Sequence, residues 1–169
     1  MEKVPPHENP HRTVRNLQDE YKLLLSYLDP YVTATTFLLH RNRQSKIEVL
    51  QMQEFTQGVT LADALVKIKS NTCPPDAVRD FFKKCLLMYQ ETNIIPDIFG
   101  RPHFTGWYKN IGKTPNVICI EQNGLLIPKL VDISFARLSK NILTKGFHNE
   151  LLAKAISREL NSLPNHQVA

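Results

Sequence analysis

In "TVRNLQDEYKLLLSYLDP" the residues Val14, Leu17, Tyr21, Leu24, Leu25 and Leu28 recur at three- and four-residue steps. That period predicts an amphipathic helix, and Asp29-Pro30 stops it because proline cannot continue the hydrogen-bond ladder. The pattern then changes. "VTATTFLLHRN" is β-branched and aromatic, Asn42 to Ser45 form a turn, and "KIEVLQMQEF" returns, which predicts an antiparallel hairpin. After a break at Gly58, Thr60 is placed to N-cap a short helix in "TQGVTLADALVKIK". The clearest helix is "NTCPPDAVRDFFKKCLLMYQET", with two prolines before Asp76 and Ala77, Phe81, Phe82, Cys85, Leu86 and Tyr89 on one face.

A loop rich in glycine, aromatic and basic residues follows, "PDIFGRPHFTGWYKNIGKTPN". Two strand-like runs, VICI and LIPKLVDI, come next and are joined by Asn123-Gly124, a strong two-residue hairpin signal. Pro128 lacks an N–H and places the second run at an edge or a bulge. The chain closes on a helix, "FHNELLAKAISRELNSL". Strands beside one another with helices between the hairpins make the expected class α+β.

A chain of 169 residues fits one domain with a sizeable core, taken here as residues 13–169 behind a polar, proline-broken, flexible lead-in at 1–12. His7 and His11 lie in that proline-rich stretch and do not form a convincing metal pair. Cys73, Cys85 and Cys119 are odd in number and match no zinc spacing, so free thiols in a reducing compartment are expected. MEKVPPHENPHR has no apolar signal-peptide core and no run is long enough to span a bilayer; a cytoplasmic protein without membrane contact is the expectation. The net charge of +5 is spread along the chain without a basic block, so nucleic acid is not the expected partner. The interleaved Arg101, His103, Phe104, Trp107, Tyr108 and Lys109 allow stacking on a base, but the expected reading is a compact surface loop packed on its own aromatics, with partner binding the lesser alternative.

Three oxygen-bearing residues stand out. No other carboxylate lies between Asp97 and Glu121, Asn116 precedes an apolar strand, and Asp132 interrupts the run "LVDISF". A carboxylate in such a run needs a partner or a metal. The order of elements, together with "QEFTQGVTLADAL", "NIIPD" and "NVICIEQNG…LVDISF", resembles the protein-kinase-like fold, in particular its branch of aminoglycoside and other small-molecule phosphotransferases. The resemblance covers roughly residues 14–138. It implies a reduced kinase-like fold, with a partial N-lobe sheet over residues 13–57 and a reduced, helical C-lobe core over 58–169.

In that resemblance the hairpin from about Val32 to Phe55 is similar to strands four and five, and Glu54 and Phe55 fall in the hinge that contacts the nucleotide base. Asp97 falls at the catalytic acid, Asn116 and Asp132 at the magnesium ligands, and Glu20 at the acid of the αC helix. Phosphoryl transfer calls for these types, since hard oxygens hold Mg²⁺ and a carboxylate orients the attacking hydroxyl. The sequence departs from the family in several places. Asp97 and Asn116 are nineteen positions apart where kinases have about five. There is no glycine-rich phosphate loop and no strand lysine, Ser134 stands where the family has the glycine after its metal-binding aspartate, and thirteen residues ahead of the first helix leave no room for three further strands. The implied cofactors are ATP and Mg²⁺, with weak or absent phosphotransferase activity. The alternatives are a non-catalytic protein-binding scaffold and, third, a basic nucleic-acid-associated domain. A sheet short of strands also implies a second copy or a protein partner that completes it.

Overall fold

The computed structural model describes residues 10–98, 116–133 and 142–165. Over these, the chain is α+β, with four helices and two small antiparallel sheets. The element order is α1 (Pro10–Leu28), β1 (Thr35–Arg41), β2 (Ile47–Gln53), β3 (Val59–Thr60), α2 (Leu61–Lys69), α3 (Asp76–Thr92), β4 (Val117–Gln122), β5 (Leu125–Leu130) and α4 (Ile142–Ser162). Helix α1 takes in residues 10–12, which the sequence pattern assigned to the lead-in.

Helix α3 is the centre of the core. Val78, Phe81, Phe82, Cys85 and Met88 are fully buried there, on a helix that packs against α1, β5 and α4. The buried face is turned slightly from the expected one, with Val78 and Met88 inside and Ala77, Leu86 and Tyr89 only half-buried. The helix ends where Asn93 takes a left-handed conformation (φ 55°) and returns its N–H to the Tyr89 carbonyl at 2.8 Å. Tyr31 packs edge-on against Phe81 and donates its hydroxyl to Asp80 at 2.8 Å, fixing the exit of α1 on α3. Burial and that bond push the phenol's pKa upward.

The expected first hairpin forms with Leu38 opposite Leu50. Its turn is held by Asn42, whose Oδ1 accepts from the main chain of Gln44 (2.9 Å) and Lys46 (3.0 Å). Phe37 and Val49 are buried against α1, where Tyr21 meets Phe37 edge-on at 6.0 Å. The second sheet runs β3-β4-β5. Its β4–β5 hairpin turns on Asn123 (φ 52°) and Gly124 (φ 77°), the paired positive φ of a type I′ turn. Among the described residues β5 is the outer strand of this sheet, which accommodates Pro128 opposite Cys119.

Strand β3 is the addition to the expected elements. Val59 and Thr60 pair with Cys119 and Ile118 before Thr60 caps α2, its hydroxyl accepting from the Asp63 N–H at 3.2 Å. Gly58 permits this approach: a Cβ there would stand 2.3 Å from the Cys119 carbonyl oxygen. Among the described residues, the segment leading into β1 is tied to the second sheet at Leu130. Leu130 donates its N–H to Tyr31 O (2.7 Å) and accepts from Thr33 N (3.1 Å), a parallel bridge at Val32.

Candidate functional site

Asp97, Asn116 and Asp132 come from three different segments, and each segment is anchored in the core. Asp97 follows α3 in a short stretch whose Ile95 and Ile98 are fully buried on either side of it. Asn116 leads into β4 through the buried Val117, and Asp132 lies between the buried Leu130 and Ile133. All three polar residues are half-buried.

Asn116 joins the other two. Its Nδ2 donates to the main-chain carbonyl of Asp97 at 2.8 Å and reaches Asp132 Oδ2 at 3.5 Å. Both neighbours are acceptors, so the amide nitrogen has to face them and the amide oxygen is turned to the other side. The Asn116 carbonyl in turn accepts from Val131 N (2.9 Å) and Asp132 N (3.3 Å), so one residue fixes the carboxylate's backbone as well as touching its side chain. Neither the Asp97 nor the Asp132 side chain stands alone; each has polar interactions besides these.

The remaining sequence candidates are distributed differently. Glu54 continues the hairpin ladder, its N–H bonded to Ala34 O at 3.1 Å, and Phe55 beside it is 85% exposed. Among the described residues no hydrogen bond joins either to the Asn116 group. Glu20 is half-buried on α1. Arg101, His103, Phe104, Trp107, Tyr108, Lys109 and Ser134 lie outside the described residues, as does His7.

A groove of about 580 Å³ between α3 and α4 is lined by Leu86, Tyr89, Ala153, Lys154 and Arg158 among others, and includes none of the three site residues. Sequence reading missed Asn149, a buried polar residue inside the last helix. Its Nδ2 donates to Asn93 O at 2.7 Å, which holds α4 to the end of α3, the segment that leads to Asp97. An asparagine one position before a glutamate in a helical run carries no signal of this kind. Cys85 and Cys119 are buried, and burial pushes both thiols up, Cys119 to about 12, so neither suits a nucleophile or a metal ligand.

Among the described residues, no group of three His, Cys, Asp or Glu side chains is placed to hold a metal ion. A cation beside Asn116 would therefore rest on oxygen donors alone, the Asp132 carboxylate and main-chain carbonyls nearest, with the amide oxygen turned away from them. That donor set is all hard oxygen, which suits Mg²⁺ and does not suit a thiophilic metal. No helix among the described residues is long and apolar enough to cross a membrane. Comparison of the chain with protein-family models, with curated proteins and with solved structures gives no match.

Proposed function

We propose that the chain is a reduced kinase-like protein that binds a magnesium nucleotide weakly beside Asn116 and transfers phosphate slowly or not at all. The observation that carries this reading is the Asn116 amide, which spans nineteen positions to the Asp97 carbonyl and sixteen to the Asp132 carboxylate. The kinase-like part of the reading rests on the resemblance in the sequence; the element order itself is α+β.

In this reading the Asp132 carboxylate would hold the ion, joined by the Asn116 amide oxygen only after the amide turns over from the orientation in which its nitrogen faces Asp132, and the ion when bound would neutralise phosphate charge. Asp97 accepts a hydrogen bond from the attacking hydroxyl and orients it. Glu54 and Phe55, at the end of β2, lie at the base. The chain brings no glycine-rich loop and no strand lysine to the phosphates. Most of the electrostatic stabilisation of transfer is then missing, which is why turnover is expected to be poor.

Thermal unfolding with and without Mg-ATP tests the reading. With a dissociation constant of about 1 mM, ~10 mM Mg-ATP stabilises the fold by about 1.4 kcal/mol. For a domain of this length that raises Tm by about 3–5 °C. Asp132→Asn should abolish the shift, and so should EDTA. The absence of any shift in the wild-type chain refutes nucleotide binding. A second reading, a protein-binding scaffold, is favoured by the outer edge of β2, to which no other strand is paired among the described residues. It predicts partner binding that survives Asp97→Ala.

A further inference from the structure

Among the described residues, no strand pairs with the outer edge of β2. At the two ends of the first hairpin, Glu54 N bonds Ala34 O (3.1 Å) and Asn42 N bonds Lys46 O (2.9 Å). Hydrogen-bonded pairs alternate along an antiparallel ladder, so the even-numbered residues of β2 direct their main-chain groups to β1. Ile47, Val49, Gln51 and Gln53 therefore direct theirs outward. Among the described residues the sheet stops there, at two strands. The other edge differs, because Thr35 N on β1 is bonded to the Tyr21 hydroxyl at 3.1 Å.

The face of the hairpin turned away from α1 carries the even-numbered side chains. Leu38 is 44% exposed and Met52 55% exposed, with Leu50 half-buried between them. Only some registers of β2 against a second β2 match outward groups with outward groups. Centring the pair on Leu50 places Leu50 opposite Leu50 of the partner subunit at a position where side chains approach closely. In the same register Val49 meets Gln51 of the partner subunit, Ile47 meets Gln53 of the partner subunit, and Lys46 meets Glu54 of the partner subunit, at both ends. Lys46 and Glu54 are exposed, which lets them meet. The same register sets Glu48 beside Met52 of the partner subunit, so what separates it from its neighbours is charge. A shift one way sets Lys46 against Met52 of the partner subunit and loses the Lys46–Glu54 pairs, and the other way sets Glu48 against Glu54 of the partner subunit, twice.

We infer that the chain forms a two-fold dimer in which β2 pairs antiparallel with β2 of a second copy, centred on Leu50, to give one four-stranded sheet. The two α1 helices lie on one face of that sheet, and the Leu38, Leu50 and Met52 side chains of both copies form a stripe on the other. This inference does not depend on nucleotide binding.

Sedimentation velocity of the full chain over a concentration series tests it, and a species of twice the chain mass that dissociates on dilution is expected. Gln51→Pro removes an outward N–H that the hairpin itself does not use, and proline is tolerated at such an edge. It should raise the dissociation constant at least about a hundredfold, because it blocks the pairing at two symmetric places. Lys46→Glu and Glu54→Lys should each weaken the dimer about tenfold, through two like-charge contacts per dimer. The double variant should restore it. Within one chain the two residues are eight apart, about 27 Å along a strand, so the rescue cannot be internal. A chain that remains monomeric, or a dimer indifferent to Gln51→Pro, overturns the interface. Two weakened single variants without rescue overturn the register. Both charge changes are at exposed positions, so they keep the test decisive if Gln51→Pro unfolds the hairpin.

Discussion

Replacing Asn116 by alanine removes the group that gathers the site. The bond to the Asp97 carbonyl is 2.8 Å long and part-buried, and a carbonyl left unmet in such a place costs about 1–3 kcal/mol. The contact with Asp132 at 3.5 Å is at the limit of a hydrogen bond and adds about 0.5 kcal/mol at most. The expected loss is therefore about 2 kcal/mol, or about 4–8 °C in Tm for a domain of this length. Urea unfolding followed by circular dichroism measures it. Asn116→Asp sharpens the test, because it sets a carboxylate against a carbonyl and a second carboxylate. Its like-charged neighbour raises the introduced group's folded-state pKa above the unfolded value of about 3.9. The penalty is then full above the folded value, shrinks as pH falls through it, and is gone below about pH 4. A loss under about 0.5 kcal/mol for Asn116→Ala, against the 1–3 kcal/mol of an unmet carbonyl, refutes the bridging role. So does an Asn116→Asp variant whose deficit relative to wild type is the same at pH 5 and pH 8.

Gly58→Ala places a Cβ 2.3 Å from the Cys119 oxygen and 2.9 Å from Ile118 Cγ2, so β4 must move, at about 1–3 kcal/mol in urea unfolding. At Gly124 the obstacle is the φ of 77° with nothing within 4 Å, so Gly124→Asn should be tolerated where Gly58→Asn is not. The buried thiols of Cys85 and Cys119 have raised pKa values, so their contribution is intact below the unfolded value near 9 and is lost as pH rises, for Cys119 towards about 12. Each should steepen the fall of stability above pH 9 by about 1.4 kcal/mol per pH unit, and equal urea midpoints at pH 8 and pH 10 would contradict this. Under native conditions a thiol reagent should modify the half-buried Cys73 well before the other two.

Much of the fold was legible because its signals are periodic or local. Leu24 and Leu28 on α1, Phe81, Phe82 and Cys85 on α3, the Thr60 cap and the Asn123-Gly124 turn all act where the sequence places them. Strand β3 was not legible, since two residues have no period and Gly58 reads as a break. Its cause is a close approach to Cys119, which is 61 positions away and depends on tertiary packing. The turn of the α3 face has the same origin. Periodicity defines a stripe, but α4 and β5 decide which flank of it is covered. For the site, residue types marked Asp97, Asn116 and Asp132 as candidates, while nothing local could say that an amide would join them.

The three site residues owe their positions to apolar neighbours more than to one another. Ile95 and Ile98 bracket Asp97, Val117 follows Asn116, and Leu130 and Ile133 bracket Asp132, all of them buried. Leu130 has a second role, because its main chain also receives the segment 31–33 that leads into the first hairpin. Asp132 therefore sits two residues from the Val32–Leu130 bridge that ties the approach to the first hairpin to the second sheet. Burial fixes each segment against the core, and the Asn116 amide then has only a short gap to close at each side. This division explains how one asparagine can gather groups so distant in sequence: most of the entropy of bringing them together is already lost when the core forms. The hydrogen bonds select the final alignment, which is the scale on which ligand positioning is decided.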